Sequence, residues 1–112
     1  MAEVTVKSRI LNTLALVPKG QVISYGKLAD LAGLPKRARM VSKYLKQAEE
    51  PINWHKVVRS DGKIAFPAGS LQAQEQCQRL MAEGIVIRKN KVNMSIYAWQ
   101  PDIYTLLAKL EY

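Results

Sequence analysis

The chain is poor in the side chains that most often carry covalent or metal chemistry. Its 112 residues include one cysteine, Cys77, and one histidine, His55. One cysteine cannot form a disulfide within the chain, and with one distant histidine it does not complete a zinc site. Cys77 has no adjacent base or cation to lower the pKa of its thiol, so we expect a small buried side chain, not a nucleophile. We therefore predict no metal and no other cofactor.

Long hydrophobic segments are missing too. No apolar run approaches ~18 residues, so no membrane span is predicted. The N-terminus also lacks the apolar core of a signal peptide. The length predicts a single domain over residues 1–112. These features indicate a cytoplasmic protein without a membrane partner, which we expect to be a monomer.

Acidic side chains are scarce relative to basic ones. Lys and Arg number 17 against 9 Asp and Glu, which gives a net charge of +8. The excess lies in residues 1–60, which hold 11 basic and 4 acidic side chains. Such a surplus indicates a polyanionic partner, with nucleic acid first and an acidic membrane surface second. A charge that only keeps the protein in solution is the alternative.

Helical spacing and capping residues predict three helices in the first half of the chain. Residues 5–17 repeat apolar side chains every three to four positions and end at a Pro-Lys-Gly segment. Ser24 suits the N-cap of a second helix over 25–32, and Gly33 suits the position just after it. A third helix over 36–47 follows directly. This arrangement is typical of a helix-turn-helix.

The third predicted helix has two opposed faces. One face is apolar and would pack on the core. The other carries four basic side chains at helical spacing, Lys36, Arg39, Lys43 and Lys46. A helix that docks on one side and presents cations on the other is suited to DNA phosphates. An ordinary solvated surface helix is the alternative.

The second half alternates short extended segments with one longer helix. Residues 57–58 and 63–66 flank an Asp-Gly pair and are predicted to form a hairpin. Ser70 is the expected N-cap of a helix over 71–83. The inward side chains of that helix would be Leu71, Cys77, Leu80 and Met81.

A second hairpin is predicted from residues 85–88 and 92–94. Its basic tip, Lys89-Asn90-Lys91, resembles the wing of a winged helix, although a plain polar turn is an equal alternative. Asp102 would cap a last helix over 103–110. Three aromatic side chains near this end are expected to cover the core and not to stack on bases, namely Tyr97, Trp99 and Tyr104.

Three segments, in this order, resemble motifs of the O6-alkylguanine-DNA alkyltransferases. Residues 18–33, with Pro-Lys-Gly-Gln-Val-Ile-Ser-Tyr-Gly-Lys-Leu-Ala and then Ala-Gly, resemble the family's helix-turn-helix entry. Residues 38–41, Ala-Arg-Met-Val, resemble the Ala-Arg-Ala-Val that carries its arginine finger. Residues 52–58, Ile-Asn-Trp-His-Lys-Val-Val, resemble its Ile-Pro-Cys-His-Arg-Val-Val active-site block.

The resemblance runs from about residue 5 to residue 84 and implies a fold. That fold is mainly α with a small β part. It is a helix-turn-helix or winged-helix-like DNA-binding domain, as in the C-terminal domain of these alkyltransferases.

Trp54 stands where the family has its acceptor cysteine. With the short chain, this exchange resembles alkyltransferase-like proteins, which bind O6-alkylguanine in duplex DNA without removing the alkyl group and flag it for nucleotide-excision repair. The resemblance thus implies a non-enzyme acting at the bacterial nucleoid, with damaged double-stranded DNA and excision-repair proteins as partners. Side-chain chemistry agrees, because transfer needs an activated thiolate and an indole N–H only donates a hydrogen bond.

The resemblance also implies roles for individual residues. Arg39 would fill the space left by the extruded base, and Tyr25 would press on the flanking phosphate. The DNA-binding side chains would be Tyr25, Lys36, Arg39, Lys43 and Lys46. The pocket for the flipped base would be lined by Tyr25, Trp54, His55, Val57, Phe66, Ala68, Gly69 and Ser70. Glu83 is the candidate partner of His55.

Simpler interpretations stay open beside these roles. Arg39 could contact a phosphate, Tyr25 could be a half-buried core-edge side chain, and His55 could be structural. A winged-helix regulator that reads a DNA sequence would use the basic helix and hairpin, but it would leave Trp54 and His55 without a task. An active alkyltransferase that uses Cys77 is the third hypothesis.

Overall fold

The computed structural model describes residues 5–48, 52–102, 104 and 106. Its helices are α1 Val6–Ala15, α2 Tyr25–Leu31, α3 Ala38–Gln47, α4 Leu71–Ala82 and α5 Met94–Tyr97. Its strands are β1 Ile23–Ser24, β2 Val57–Val58, β3 Ile87–Arg88 and β4 Lys91–Val92, and a 3-10 turn spans Trp54–Lys56. The predicted class, mainly α with a small β part, is confirmed. Within these residues no helix is long and apolar enough to cross a bilayer.

Helices α1, α2 and α3 include the predicted helix-turn-helix. The Ser24 hydroxyl accepts a hydrogen bond from the Lys27 amide at 3.1 Å, so it caps α2 as predicted. Gly33 follows α2 with a φ of +82°, a left-handed conformation that costs glycine little. Lys36 has a φ of +63° and lies in the turn before α3, which begins at Ala38. Because a left-handed residue cannot continue a right-handed helix, the prediction that Lys36 belongs to the basic helix face is wrong.

The pairing of β2 differs from the prediction. Val57 and Val58 do not form a hairpin with residues 63–66. They pair in parallel with β1, in the register Ile23 with Val57 and Ser24 with Val58. Both β2 residues are fully buried, and β1 lies in the core beside them. An Asp-Gly signal favours a local turn, but it does not decide which strand becomes the partner.

The chain after β2 turns toward the second hairpin instead. The Gly62 amide donates to the Arg59 carbonyl at 2.8 Å, so the predicted turn forms. Beyond it, Lys63 bridges Lys91, and the Val92 amide donates to the Gly62 carbonyl at 2.9 Å. A Cβ on Gly62, whose φ is +90°, would lie 2.0 Å from the Val92 carbonyl oxygen. Only glycine permits this approach of the turn to β4.

Strands β3 and β4 form the predicted second hairpin, with Arg88 opposite Lys91. The tip consists of two residues, Lys89 and Asn90, with φ values of +51° and +61°. Two consecutive positive φ values are typical of the tight turns whose twist matches that of paired strands.

Helix α4 packs through only part of the predicted face, since Leu80 and Cys77 face inward as predicted but Leu71 and Met81 do not. Its buried side chains are Ala73, Gln76 and Leu80, with Cys77 half-buried beside them. Leu71 is 81% exposed and Met81 is exposed too, so both were wrongly predicted to face inward. Positions three and four apart share one side of a helix, and Leu71 and Met81 fall outside the stripe that the buried residues form.

The buried side chains form two clusters. The first combines helices α1, α2 and α3 with Ile23 and Val57, and the second combines Val22, Val58 and Ile64 with α4 and the β3–β4 hairpin. Strand β2 contributes one side chain to each cluster, because successive strand side chains point to opposite faces. The 3-10 turn directly before β2 is therefore held where the two clusters meet.

The aromatic residues near the end of the chain behave differently from one another. Tyr97 and Trp99 are partly buried against the second and first cluster, in line with their predicted position over the core. Tyr104 is 81% exposed, so the prediction that it covers the core is wrong. Asp102 accepts from the Tyr104 amide through its side chain at 3.0 Å, as expected of a cap. Most of the predicted helix over 103–110 lies outside the described residues.

Candidate nucleic-acid interface

Trp54 begins the 3-10 turn and is held by two other elements. The Phe66 ring meets the indole at 87°, with the ring centroids 5.9 Å apart. The Arg79 guanidinium of α4 lies over the indole, 5.4 Å from the ring centroid. Arg79 is itself paired with Glu75 at 2.9 Å, one helical turn earlier. The edge-on aromatic contact and the cation–π contact together fix the orientation of the indole.

A cavity of about 280 Å³ opens beside Trp54. Its walls come from the start of α2, the second half of α3, the 3-10 turn and the segment after β2. The lining residues are Tyr25, Ser42, Leu45, Lys46, Trp54, Ala65 and Phe66. The volume is near the lower end, about 300 Å³, of sites that hold small ligands. Aromatic walls with a few polar groups suit a flat, partly polar group such as a nucleobase.

Part of the predicted pocket lies elsewhere. Tyr25, Trp54 and Phe66 line the cavity as predicted. Val57 does not, because strand alternation turns it into the first core cluster, where it is fully buried. Ala68 and Gly69 lie in the exposed turn before α4. Ser70 N-caps α4 by accepting from the Ala73 amide at 3.2 Å, so its hydroxyl serves the helix and not the cavity.

The cavity wall also contains residues that the sequence did not indicate. Ser42, Leu45 and Ala65 were not predicted to line the cavity, and Leu45 also packs against the first core cluster. Ser42, Leu45 and Lys46 stand at i, i+3 and i+4, so they form a single stripe along α3. That stripe is visible in the sequence, but only the tertiary structure sets it opposite Tyr25 and Trp54.

His55 faces a carboxylate and is not part of the cavity wall. It is 8% exposed, and its Nε2 lies 2.5 Å from Glu83 Oε2. The predicted pairing of His55 with Glu83 is thus confirmed, whereas the prediction that His55 lines the pocket is wrong. A carboxylate only accepts hydrogen bonds, so Nε2 carries the proton. Within the described residues Nδ1 is buried and has no hydrogen-bond partner.

Glu83 also holds two other groups. Its Oε1 lies 2.5 Å from Lys56 Nζ and accepts from the Gly20 amide at 2.9 Å. Burial alone would raise the pKa of Glu83, but hydrogen bonds from Lys56, Gly20 and His55 outweigh burial and lower the pKa to about 2. Glu83 is therefore ionised across the physiological range.

Lys56 is 4% exposed, which is rare for a lysine. Besides Glu83, its ammonium donates to the Pro18 carbonyl at 2.8 Å and reaches the Gln21 carbonyl at 3.5 Å. A charged side chain tolerates this burial because two carbonyl oxygens and a carboxylate oxygen accept from its ammonium. Lys56 thus ties the 3-10 turn to the segment that leads into α2. The sequence indicated Lys56 only as a replacement for the family's arginine.

Gln76 of α4 fixes the backbone on either side of Lys56. Its side-chain amide donates to the carbonyls of His55 and Val57, both at 2.9 Å, and it is 1% exposed. The sequence signal for this role is a glutamine among the apolar side chains on the inward face of α4. Gln76 was not predicted to face inward.

The basic face of α3 is present as predicted, apart from Lys36. Arg39, Lys43 and Lys46 are exposed, while Val41 is fully buried in the first cluster. Lys46 also lines the cavity, so the cationic face and the cavity are continuous. Tyr25 begins α2 at the other side of the cavity, and burial raises the pKa of its hydroxyl. A neutral phenol is a hydrogen-bond donor to phosphate.

Comparisons with known proteins agree with this arrangement. Residues 5–85 match the family described as "6-O-methylguanine DNA methyltransferase, DNA binding domain". The DNA base-flipping protein of Escherichia coli (strain K12) is 36% identical over 94 residues, which cover 81% of this chain and 71% of that protein. Alkyltransferase-like protein 1 of Schizosaccharomyces pombe is 32% identical over 101 residues, which cover 84% of this chain and 94% of that protein.

The fold of this chain also matches that of a similar protein whose structure has been solved in complex with DNA. The crystal structure of the S. pombe protein with damaged DNA containing O6-carboxymethylguanine superposes with a TM-score of 0.79 and 30% identity, covering 90% of this chain and all of that chain. The resemblance noted in the three sequence motifs is confirmed. The chain belongs to the family of the 6-O-methylguanine DNA methyltransferase DNA-binding domain.

Proposed function

We propose that this protein recognises O6-alkylguanine in double-stranded DNA, takes the flipped base into the Trp54 cavity and leaves the alkyl group in place. The observation that carries the proposal is the indole in the cavity wall at the acceptor position of the family's active-site block. An indole offers an apolar face for stacking and a single N–H donor, and it has no lone pair with the nucleophilicity of a thiolate.

Cys77 does not replace the missing acceptor. It belongs to the second core cluster, half-buried on α4, and it is not among the residues that line the cavity. Burial raises the pKa of its thiol, which lowers the thiolate fraction at neutral pH. A group that is neither in the cavity nor ionised is a poor candidate for alkyl transfer.

The exposed cations of α3 bind the DNA phosphates. Arg39 and Lys43 project from α3 opposite its buried face, so one side of the helix docks on the core while the other meets phosphates. Arg39 takes the place of the extruded base, and Tyr25 contacts the phosphate beside it. Flipping costs a few kcal/mol and costs less at a weakened alkylguanine pair, so the step itself favours damaged sites.

The relatives support this assignment. One similar protein is named for base flipping, and another has been crystallised on DNA that contains an O6-alkylated guanine. Because the shared segment includes α2, α3 and the 3-10 turn, we carry both properties over to this chain.

A lesion-against-control titration tests the proposal. Labelled duplexes with one O6-methylguanine, and the same duplexes with guanine, are titrated with the protein, and the protein's intact mass is measured afterwards. We expect tighter binding to the damaged duplex with no added methyl mass. Equal binding to both duplexes contradicts lesion recognition, and a methylated protein contradicts the non-enzymatic assignment. A defined site recovered from random duplexes would instead identify a sequence-specific regulator.

We further propose that the bound protein flags the lesion for nucleotide-excision repair. A protein that holds an alkylguanine without repairing it is useful to the cell only if another process completes the repair. In a reconstituted excision assay, adding the protein should speed incision of the O6-methylguanine duplex but not of the unmodified duplex. Protection of the lesion from incision would contradict this role.

A further inference from the structure

A second cavity, of about 310 Å³, lies beside the β3–β4 hairpin and is separate from the Trp54 cavity. Its lining residues are Val86, Arg88, Lys91, Asn93, Ile96 and Tyr97, and we call it the hairpin groove. Val86 is 54% exposed and Ile96 is 68% exposed, so two large apolar side chains meet solvent in the same groove. Exposed apolar side chains that cluster in a groove are typical of a binding surface.

The groove also carries positive charge, and a carboxylate that acts on it, Asp61, is shared among Lys63, Arg59 and Lys91. Arg88 and Lys91 stand directly opposite each other across the hairpin, and Lys63 bridges Lys91 from the other side. Like charges in such a pair destabilise a sheet. Among the described residues no carboxylate oxygen lies within 4.0 Å of Arg88 or Lys91, while Asp61 is engaged with Lys63 at 3.9 Å. A bound anion would relieve this repulsion.

The walls of the groove are firmly built. The Tyr97 hydroxyl accepts from the Val86 amide at 3.2 Å, and the Tyr97 carbonyl accepts from the Val22 amide at 2.9 Å. The side chain of Asn93 accepts from the Ser95 amide at 3.0 Å and so begins α5. The hairpin and Tyr97 belong to the second core cluster, whereas α3 packs in the first. The groove is therefore preformed and is not an extension of the DNA-binding helix.

We propose that the hairpin groove binds an acidic peptide segment of a protein partner. Carboxylates of the segment pair with Arg88 and Lys91, and an apolar side chain packs between Val86, Ile96 and the Tyr97 ring. DNA phosphates would use the cations but would leave the apolar side chains in water, so the peptide accounts for both halves of the surface. This inference goes beyond the proposed lesion recognition and does not depend on it.

The test is a titration of the isotope-labelled full chain, followed by two-dimensional amide NMR. The probes are peptides of about ten residues with several glutamates around one Leu, Phe or Trp, matching the segments that such grooves take. Matched controls replace the glutamates by lysine or the apolar residue by serine. We expect shifts at residues 86–97 with the acidic apolar peptides alone. No response to any of them below about 1 mM, or shifts centred on Arg39 and Lys43, would overturn the proposal.

Two variants distinguish peptide binding from DNA binding at the hairpin groove. Ile96→Ser and Arg88→Glu should each weaken peptide binding by about fivefold or more, since one removes the apolar wall and the other reverses a charge. Leu71→Ser and Lys19→Glu are the matched controls, an exposed apolar residue and an exposed cation outside the groove, and should change little. Affinity for duplex DNA should stay within about twofold in Arg88→Glu. If Arg88→Glu weakens DNA binding by as much as peptide binding, the groove is a DNA contact and the proposal fails.

Discussion

Trp54 and His55 are neighbours in the sequence, yet their side chains have different surroundings. Trp54 belongs to the cavity wall, while His55 is committed to Glu83. Activation of a nucleophile by a base requires contact at about 3 Å, directly or through one water. At the scale of single residues, the structure keeps a shaped cavity and an oriented histidine, and among the described residues no thiol lines that cavity.

Replacing Trp54 by Cys should not restore alkyl transfer. The new thiol would need the unprotonated Nδ1 of His55 as its base, and that nitrogen is buried on a residue that does not line the cavity. Intact-mass spectrometry after incubation with an O6-methylguanine duplex should show unmodified protein. Trp54→Phe, which keeps an aromatic wall, is the control for loss of binding. A stoichiometric gain of one methyl group would show that the cavity lacks nothing but the thiol.

Replacing Arg39 by Ala should weaken binding to the damaged duplex by roughly tenfold or more, because this guanidinium is expected to fill the space of the flipped base. Arg37→Ala is the control, since it removes an exposed cation at the start of the same helix. It should weaken damaged and undamaged binding equally, as loss of a phosphate contact does. Fluorescence anisotropy on both duplexes measures this. Identical losses of lesion preference in the two variants would refute the finger assignment.

At the scale of elements, α3 has a buried face and an opposite exposed face. Val41 is fully buried against α1 and α2, while Arg39 and Lys43 are exposed on the opposite side. A third stripe, which includes Leu45, turns toward the Trp54 cavity. One helix thus carries a buried face, a face of exposed cations and part of the cavity wall, because its side chains are spread around the full turn.

Replacing Lys43 by Ala should weaken binding to damaged and undamaged duplexes by a similar factor. The slope of log affinity against log salt concentration should fall in magnitude by about 0.9, the value for one lost phosphate contact. Lys19→Ala, an exposed lysine outside α3, should leave that slope unchanged. Affinity measured at several salt concentrations decides the matter, and an unaltered slope in Lys43→Ala would place this side chain away from DNA.

Replacing Gln76 by Leu should loosen the 3-10 turn against α4. Two buried carbonyls, those of His55 and Val57, would lose their donor, at about 1–3 kcal/mol for each unsatisfied group. We expect lower stability in urea, faster amide exchange over residues 54–58 and weaker lesion binding. Gln78→Leu, an exposed position of the same helix, is the control. Unchanged exchange in Gln76→Leu would show that α4 does not hold the turn.

At the scale of the whole molecule, Glu83 joins parts of the chain that are far apart in sequence. Its carboxylate contacts Gly20 after α1 and both His55 and Lys56 in the 3-10 turn, while its backbone amide donates to carbonyls at the end of α4. These contacts connect the helix-turn-helix, the cavity segment and the second core cluster through a single side chain.

The stability of the fold should depend on the ionisation of Glu83. Its pKa is lowered from 4.5 to about 2 by hydrogen bonds from Lys56, Gly20 and His55, so the ionised carboxylate stabilises the folded state. Since the folded pKa is the depressed one, this stabilisation is complete above pH ~4.5 and is lost as the pH falls toward ~2. Urea unfolding at pH 7 and at intervals down to pH 3 should show the decline.

The Glu83→Gln variant tests the same contact at neutral pH. Lys56, almost fully buried, would lose its counter-charge, so we expect a cost of roughly 3 kcal/mol and a flatter pH dependence. Glu75→Gln breaks the exposed pair with Arg79 and should cost no more than ~0.5 kcal/mol. Equal stability of wild type and Glu83→Gln at pH 7 would show that the carboxylate does not hold the fold together.

The sequence by itself determined the features that depend on neighbouring residues. Ser24 and Ser70 cap helices because a hydroxyl at that position reaches an amide two or three residues on. The outward cations of α3 follow from the helical period, and the second hairpin was predicted as well. Its predicted tip included Lys91, which the structure places in β4, so the turn is the two residues Lys89 and Asn90. The pairing of His55 with Glu83 was reached through the family resemblance and not through local spacing.

Only the tertiary structure decided the contacts between distant segments. Parallel pairing of β2 with β1 and the position of Lys56 under Pro18 have no local sequence signal. The helical spacing of Ser42 and Leu45 is visible in the sequence, but the cavity that they face is not. Each contact depends on which apolar surfaces pack together when the two core clusters form. Because the hydrophobic effect is non-directional, the order of apolar residues along the chain does not specify which surfaces pack together. Local hydrogen bonds placed the helices and turns, and long-range packing of the apolar faces built the cavity between them.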